Sequence, residues 1–154
     1  MEPVIAKGTK ERILDAALAS FSSVGYDGTS LDDLAGDLGV RKQTILYHFV
    51  TKRGLLAAVV DRAAGELIGA LEEVLASTAR GWERVESLVR TVFRLALREP
   101  QVLGLLREVS RPGSAASGRL RNLMTPLMDR AVAWMESEMA AGRMRRTDPR
   151  LVVL

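Results

Sequence analysis

The chain has 154 residues, 47% hydrophobic and 27% charged. That is enough apolar material for one ordinary domain, or a small module with a larger one, and too much for global disorder. It holds no cysteine, which excludes disulfides and thiolate metal sites and suits a reducing, cytoplasmic setting. The start, MEPVIAKGTKER, lacks the apolar core of a signal peptide, and no apolar run approaches the ~20 residues of a membrane helix.

Net charge is +3, but its distribution says more than its size. Residues 1–53 hold seven Lys/Arg and seven Asp/Glu, so this part is neutral. Within it, Arg41, Lys42, Lys52 and Arg53 fall in a window with no acid, and Asp27, Asp32, Asp33 and Asp37 precede that window.

Helix formers dominate, Pro is rare and strand-like alternation is absent, so the expectation is an all-α chain. Thr9 is placed to cap a helix from Lys10 to Val24, with Ile13, Leu14, Ala17, Leu18 and Phe21 as its apolar stripe and Gly25 as its stop. Ser30, followed by Asp33, caps the next helix. Its stripe is Leu31, Leu34, Ala35 and Leu38, and Gly39 ends it. A short helix from Lys42 to His48 follows. Thr51 caps a long one that continues to Ser77. Trp82–Arg98 forms another, with Val85, Leu88, Val89, Val92, Phe93 and Leu97 expected to face inward. Pro100 opens a short helix ending near Ser110. Arg111–Gly118 is a loop by composition. Arg119–Ala141 is the last helix, expected to kink or restart at Pro126 and to end at Gly142. Asp148-Pro149 then reads as a further helix start, followed only by the apolar Leu151-Val152-Val153-Leu154. The expectation from that ending is that C-terminal helices are missing from this sequence.

Two short helices joined at Gly39 fit a helix-turn-helix, in which the first helix braces and the N-terminal residues of the second face base edges in the major groove. Glycine makes the left-handed turn residue cheap. Lys42, Gln43 and Thr44 open the second helix. Lys can donate to guanine acceptors, Gln can pair with adenine, and the Thr methyl can touch thymine. Tyr47, His48 and Lys52 are placed to reach phosphates, and Lys52 stands at a helix N-terminus that itself favours phosphate. Ser30 and Arg41 complete the candidate DNA-contact set.

The segment Thr29–Leu56 resembles the DNA-binding segment of TetR/AcrR-family transcriptional repressors. The resemblance is carried by Thr29-Ser30, Leu34-Ala35, Gly39-Val40, Thr44-Ile45, His48-Phe49, Thr51-Lys52 and Leu55-Leu56. Ile13–Gly25 is similar to the family's first helix. Three positions depart from the pattern. Arg41 stands where a capping Ser is frequent and cannot cap, which leaves it for phosphate. Leu46 replaces the usual Tyr, which leaves Tyr47 as the aromatic contact. Arg53-Gly54 replaces a more acidic helix start, and Gly54 weakens that first turn.

The resemblance implies a three-helix DNA-binding domain at residues 1–50 and a helical effector-binding and dimerisation domain at residues 51–154. The implied protein is a homodimeric, ligand-responsive repressor released from a palindromic double-stranded DNA operator by a small apolar or amphipathic effector. Val89, Phe93, Leu106, Met124, Met128 and Trp134 are the candidate effector-pocket residues. A plain packing role for the Met and Trp side chains competes with that reading. A cavity behind Phe93, Leu106 and Met124 would favour a sensor; a solid core would favour a constitutive DNA-binding regulator. A helical-bundle carrier or enzyme finds no support, because no nucleophile–base pair, phosphate loop or second histidine is present. No cofactor, metal or membrane association is expected, and His48 alone is a surface or packing histidine. The series Arg80, Arg84, Arg90, Arg94 and Arg98 reads as a solvated helix face.

Overall fold

The computed structural model describes residues 8–114 and 116–149. Among the described residues the helices are, in order, α1 Thr9–Ser23, α2 Gly25–Gly28, α3 Leu31–Leu38, α4 Lys42–Phe49, α5 Lys52–Ala76, α6 Gly81–Arg98, α7 Pro100–Ser110 and α8 Ser117–Ala140. Among the described residues there is no strand.

The chain forms two packing units, with the boundary inside α5. The first comprises the described residues up to Arg62 together with Pro100–Ser117. Its core is the apolar stripe of α1 (Ile13, Leu14, Ala17, Leu18, Phe21) joined by Leu34, Ala35, Ile45, Phe49, Leu55, Leu56, Val59 and Val60, all buried. Burial of such side chains is worth about 1.5–3 kcal/mol each relative to exposure, so these stripes orient the short helices more firmly than their own propensity would.

Thr9 does not cap α1. Gly8 takes the N-cap with extended backbone and no side-chain cap, its carbonyl accepting from Arg12 N–H at 3.1 Å. Gly25 adopts φ +78° after α1, but the chain then makes one more turn, α2, which apolar periodicity does not mark. Arg62 ties α5 to α1 through Asp15 at 2.9 Å and Glu11 at 3.4 Å.

α7 also belongs to this unit. It lies so close to the end of α1 that a Cβ on Gly104 would stand 2.7 Å from the Ser22 carbonyl oxygen. Ser22 Oγ donates to the Gln101 carbonyl at 2.6 Å, and Arg111 joins Asp27 to the buried Glu108, both at 3.0 Å. Sequence order puts α7 among the later helices; packing puts it on α1.

The second unit comprises Ala63–Glu99 and the described residues from Gly118 onward. Glu138, buried near the end of α8, accepts from Gly81 N–H at 3.0 Å and from Arg143 Nε at 2.8 Å and Nη2 at 2.9 Å. The Arg143 hydrogen bonds hold its carboxyl down at about 2 from the ordinary 4.5, against the opposing effect of burial, with the Gly81 N–H and the Arg84 charge assisting. Arg130 pairs with Glu72 at 2.6 Å between α8 and α5. α8 is continuous through Pro126 and does not restart there.

The apolar stripe of α6 is inward only in part, with Val85 and Leu88 half-buried. Trp82, Val89, Val92, Phe93 and Leu97 are exposed, Phe93 by 65% and Leu97 by 79%. Periodicity establishes that one face of α6 is apolar; it does not establish how fully neighbouring helices cover that face. The expectation built on Leu151–Leu154 lies outside the described residues.

Candidate nucleic-acid interface

The turn between α3 and α4 is set by local chemistry. Ser30 Oγ accepts from the Asp32 and Asp33 N–H groups at 3.2 and 3.3 Å, closing the start of α3. Gly39 takes φ +66° at its end. Val40 N–H then donates back to the Ala35 carbonyl at 3.0 Å and Gly39 N–H to Gly36 at 3.1 Å, which reverses the chain within three residues. Arg41 is the N-cap of α4 in extended conformation and makes no side-chain cap, so its guanidinium is left for other partners.

Burying Ile45 and Phe49 sets the rotation of α4. Residues two or three positions from Ile45 then face outward: Lys42, Gln43 and Tyr47 are exposed, Tyr47 by 83%, while Thr44, Leu46 and His48 are half-buried. The His48 ring stands edge-on to Tyr47, centroids 5.2 Å apart. Arg41 and Arg53 are exposed as well. Thr51 caps α5, accepting from Gly54 N–H at 2.9 Å. The structure thus gathers Ser30, Arg41, Lys42, Gln43, Thr44, Tyr47, His48 and Lys52 onto the short segment formed by the start of α3, α4 and the start of α5.

Two of these cations already have partners. Lys42 Nζ donates to Asp32 Oδ2 at 2.8 Å. Lys52 Nζ lies 4.5 Å from the centroid of the Tyr26 ring, which stacks on Phe21. Tyr26 on the unanticipated α2 is a residue that pattern reading misses, since nothing in a linear sequence brings position 26 to position 52. Buried Thr29 is another: its hydroxyl donates to the Gly25 carbonyl at 2.8 Å and pairs with Ser20 Oγ at 2.9 Å, fixing the approach to α3.

In the second unit, Leu71, Leu88, Val89, Phe93, Leu127 and Met128 line an apolar cavity of about 350 Å³. Trp82, Val85, Val89, Trp134, Arg143 and Arg145 are among the walls of another, of about 660 Å³. Of the pocket residues expected from sequence, Val89, Phe93 and Met128 meet at the first cavity, and Val89 and Trp134 at the second. Met124 lines neither. Leu106 lies on α7, in the other unit, and is exposed. Trp134 Nε1 and Arg84 Nε are buried without a hydrogen-bond acceptor, and the Arg84 guanidinium stacks 5.2 Å from the Trp134 ring centroid.

Among the described residues no group of three or more His, Asp or Glu is placed to hold a metal ion, and no helix is long and apolar enough to cross a membrane.

Residues 13–59 match the family described as bacterial regulatory proteins, tetR family. The chain is similar to IcaR of Staphylococcus aureus, the negative transcriptional regulator of the biofilm operon icaADBC, at 44% identity over 46 residues. That match covers 30% of this chain and 25% of IcaR, so the chain spans about a quarter of that relative's length within the match. Among solved structures, PfmR of Thermus thermophilus, a TetR-family transcriptional regulator, superposes with a TM-score of 0.82 at 23% identity, over 96% of this chain and 80% of PfmR. FadR of Bacillus subtilis, solved in complex with stearoyl-CoA, gives 0.81 at 19% identity over 93% and 78%. At these identities the two structures establish the shared fold.

Proposed function

We propose that the chain is a DNA-binding transcriptional repressor of the tetR family of bacterial regulatory proteins, whose model residues 13–59 match, and that it releases its operator on binding a small amphipathic effector. The observation that carries the DNA reading is the rotation of α4: Ile45 and Phe49 are buried, which turns Lys42, Gln43 and Tyr47 outward, and the sequence stretch from Arg41 to Arg53 contains no acid. Phosphate contacts by Arg41, Tyr47, His48, Lys52 and Ser30 position the helix; base-edge contacts by Lys42, Gln43 and Thr44 specify the sequence. Residues 1–50, with Lys52 at the start of α5, serve DNA binding, and the remainder of residues 51–154 serves effector binding and dimerisation. Two copies present two α4 helices to half-sites ~34–36 Å apart on a palindromic operator.

The two apolar cavities support the effector reading. Their walls suit an apolar chain, while the guanidinium of Arg145 at the second suits a head group rich in acceptor oxygens. A long-chain acyl-CoA, the class bound to the Bacillus subtilis FadR, is the first class to test. α5 carries Lys52 at one end and Leu71, a cavity wall, towards the other, so its backbone is the covalent route by which a bound effector alters the DNA-binding segment. A coupling of ~1–3 kcal/mol changes operator affinity about 5–150-fold. The test is selection of bound sequences from random duplex DNA by the native protein, repeated with long-chain acyl-CoA present. An enriched inverted repeat, lost on adding the acyl-CoA, is the expected outcome. No enrichment overturns the DNA reading, and enrichment indifferent to acyl-CoA overturns this effector class.

A further inference from the structure

Lys42 is the first residue of α4, the helix assigned above to the major groove, yet it carries a carboxylate with it. Asp32 Oδ2 accepts from Lys42 Nζ at 2.8 Å, with both side chains about half exposed or more. The pair joins the two helices of the helix-turn-helix, because Asp32 lies in the first turn of α3, where its own N–H is held by Ser30 Oγ. Asp33, the neighbouring acid in that turn, has its N–H held by the same hydroxyl.

We propose that Asp32 is a specificity-determining residue that keeps Lys42 available to neutral base acceptors while disfavouring its use on phosphate. The inference rests on the DNA-reading role given to α4. An ammonium has three donor hydrogens, so one can stay on Asp32 while the others meet guanine O6 or N7. Those acceptors are neutral and share the ammonium with a carboxylate without charge repulsion. A phosphate oxygen is an anion, so seating it on Lys42 either sets two like charges side by side or breaks the Asp32 pair. Non-specific affinity grows with each cation offered to phosphate, so the pair takes one cation out of that count. Discrimination is a difference of affinities, and penalising the wrong partner widens it as effectively as improving the right one. An exposed ion pair of this kind corresponds to a factor of about two to five in a binding constant.

The test compares fluorescence-anisotropy affinities of the native protein, at physiological salt, for the duplex it selects from a random pool and for a scrambled duplex. Asp32→Asn is expected to tighten binding to the scrambled duplex about two- to five-fold and to the selected duplex by less, so the specificity ratio falls. Asp33→Asn makes the same charge change without touching Lys42 and is expected to shift both affinities by one common factor. In a Lys42→Ala background, Asp32→Asn is expected to leave the ratio unchanged. Asp32→Glu, which restores the carboxylate, retains the ratio and serves as the readable variant if Asp32→Asn melts early by circular dichroism. The proposal is overturned if Asp32→Asn shifts both duplexes equally, or if its effect on the ratio persists without Lys42. A wild-type protein that binds neither duplex overturns the DNA reading itself, an outcome distinct from a discriminating wild type whose ratio ignores Asp32.

Discussion

The carbonyl oxygen of Phe49 stands 2.2 Å from where a Cβ on Gly54 would lie. The last residue of α4 and the first turn of α5 therefore approach so closely that only glycine fits between them. Gly54, which departs from the family pattern and weakens the first turn of α5, is a steric requirement of this corner. Gly54→Ala is expected to cost about 1–3 kcal/mol in urea unfolding, because backbone cannot move aside as a side-chain tip can. Gly69→Ala, with nothing within 4 Å of the added carbon on the same helix, is expected to gain about 0.5–1 kcal/mol. An unchanged midpoint for Gly54→Ala would contradict the close approach.

The same corner holds Val50 at φ 64° and ψ −46°, exposed by 76%, while Thr51 N–H reaches back to the Phe49 carbonyl at 2.7 Å. This is a γ-turn of the strained hand, and it is occupied by a β-branched residue. Val50→Gly is expected to raise the unfolding free energy by about 1 kcal/mol despite the looser unfolded chain, and Val50→Ala by less. Equal or lower stability of the glycine variant would show that the turn is not strained.

Lys52→Ala is expected to weaken binding to specific and non-specific duplexes by a similar factor and to reduce the salt slope of log affinity by about one. Removing the ammonium also removes the contact to Tyr26. Lys52→Arg keeps both charge and stacking and is expected to restore most of the affinity. Binding indifferent to Lys52→Ala would place that side chain outside the interface.

Glu138 gives the second unit an acid-sensitive joint. Its folded carboxyl lies at about 2, below the ordinary 4.5, chiefly through the Arg143 hydrogen bonds. A depressed carboxyl stabilises fully above the unfolded value and loses that contribution as pH falls from about 4.5 towards 2. The melting-temperature advantage of wild type over Glu138→Gln is therefore expected to be constant near neutrality and to shrink across that window. An advantage that does not change with pH would mean the ion pair is not what holds Gly81 to the end of α8.

The first unit was largely legible because its signals are local. The Ser30 cap, the Gly39 stop and the Ile45–Phe49 spacing each act within a few residues, and together they settle both the turn and the outward face of α4. What periodicity could not show was contact across the chain. Gly104 on Ser22, Tyr26 beneath Lys52 and Asp32 on Lys42 are pairings of residues distant in sequence, or on helices whose relative placement no local pattern encodes. The α6 stripe shows the converse: Phe93 and Leu97 sit on an apolar face, yet are exposed, because a period specifies a face and not its partner. Leu106 and Met124 were grouped with the cavity residues by helix order alone, and helix order does not determine which side chains meet.

The proposed role of α4 is to read base edges through its first residues. The most direct measurement is the affinity of Gln43→Ala for the selected duplex and for its complete set of single-base variants. Discrimination is expected to collapse at one position of each half-site, by about 1–3 kcal/mol, with the others intact. A uniform loss across all positions would contradict it and leave Gln43 as a backbone contact.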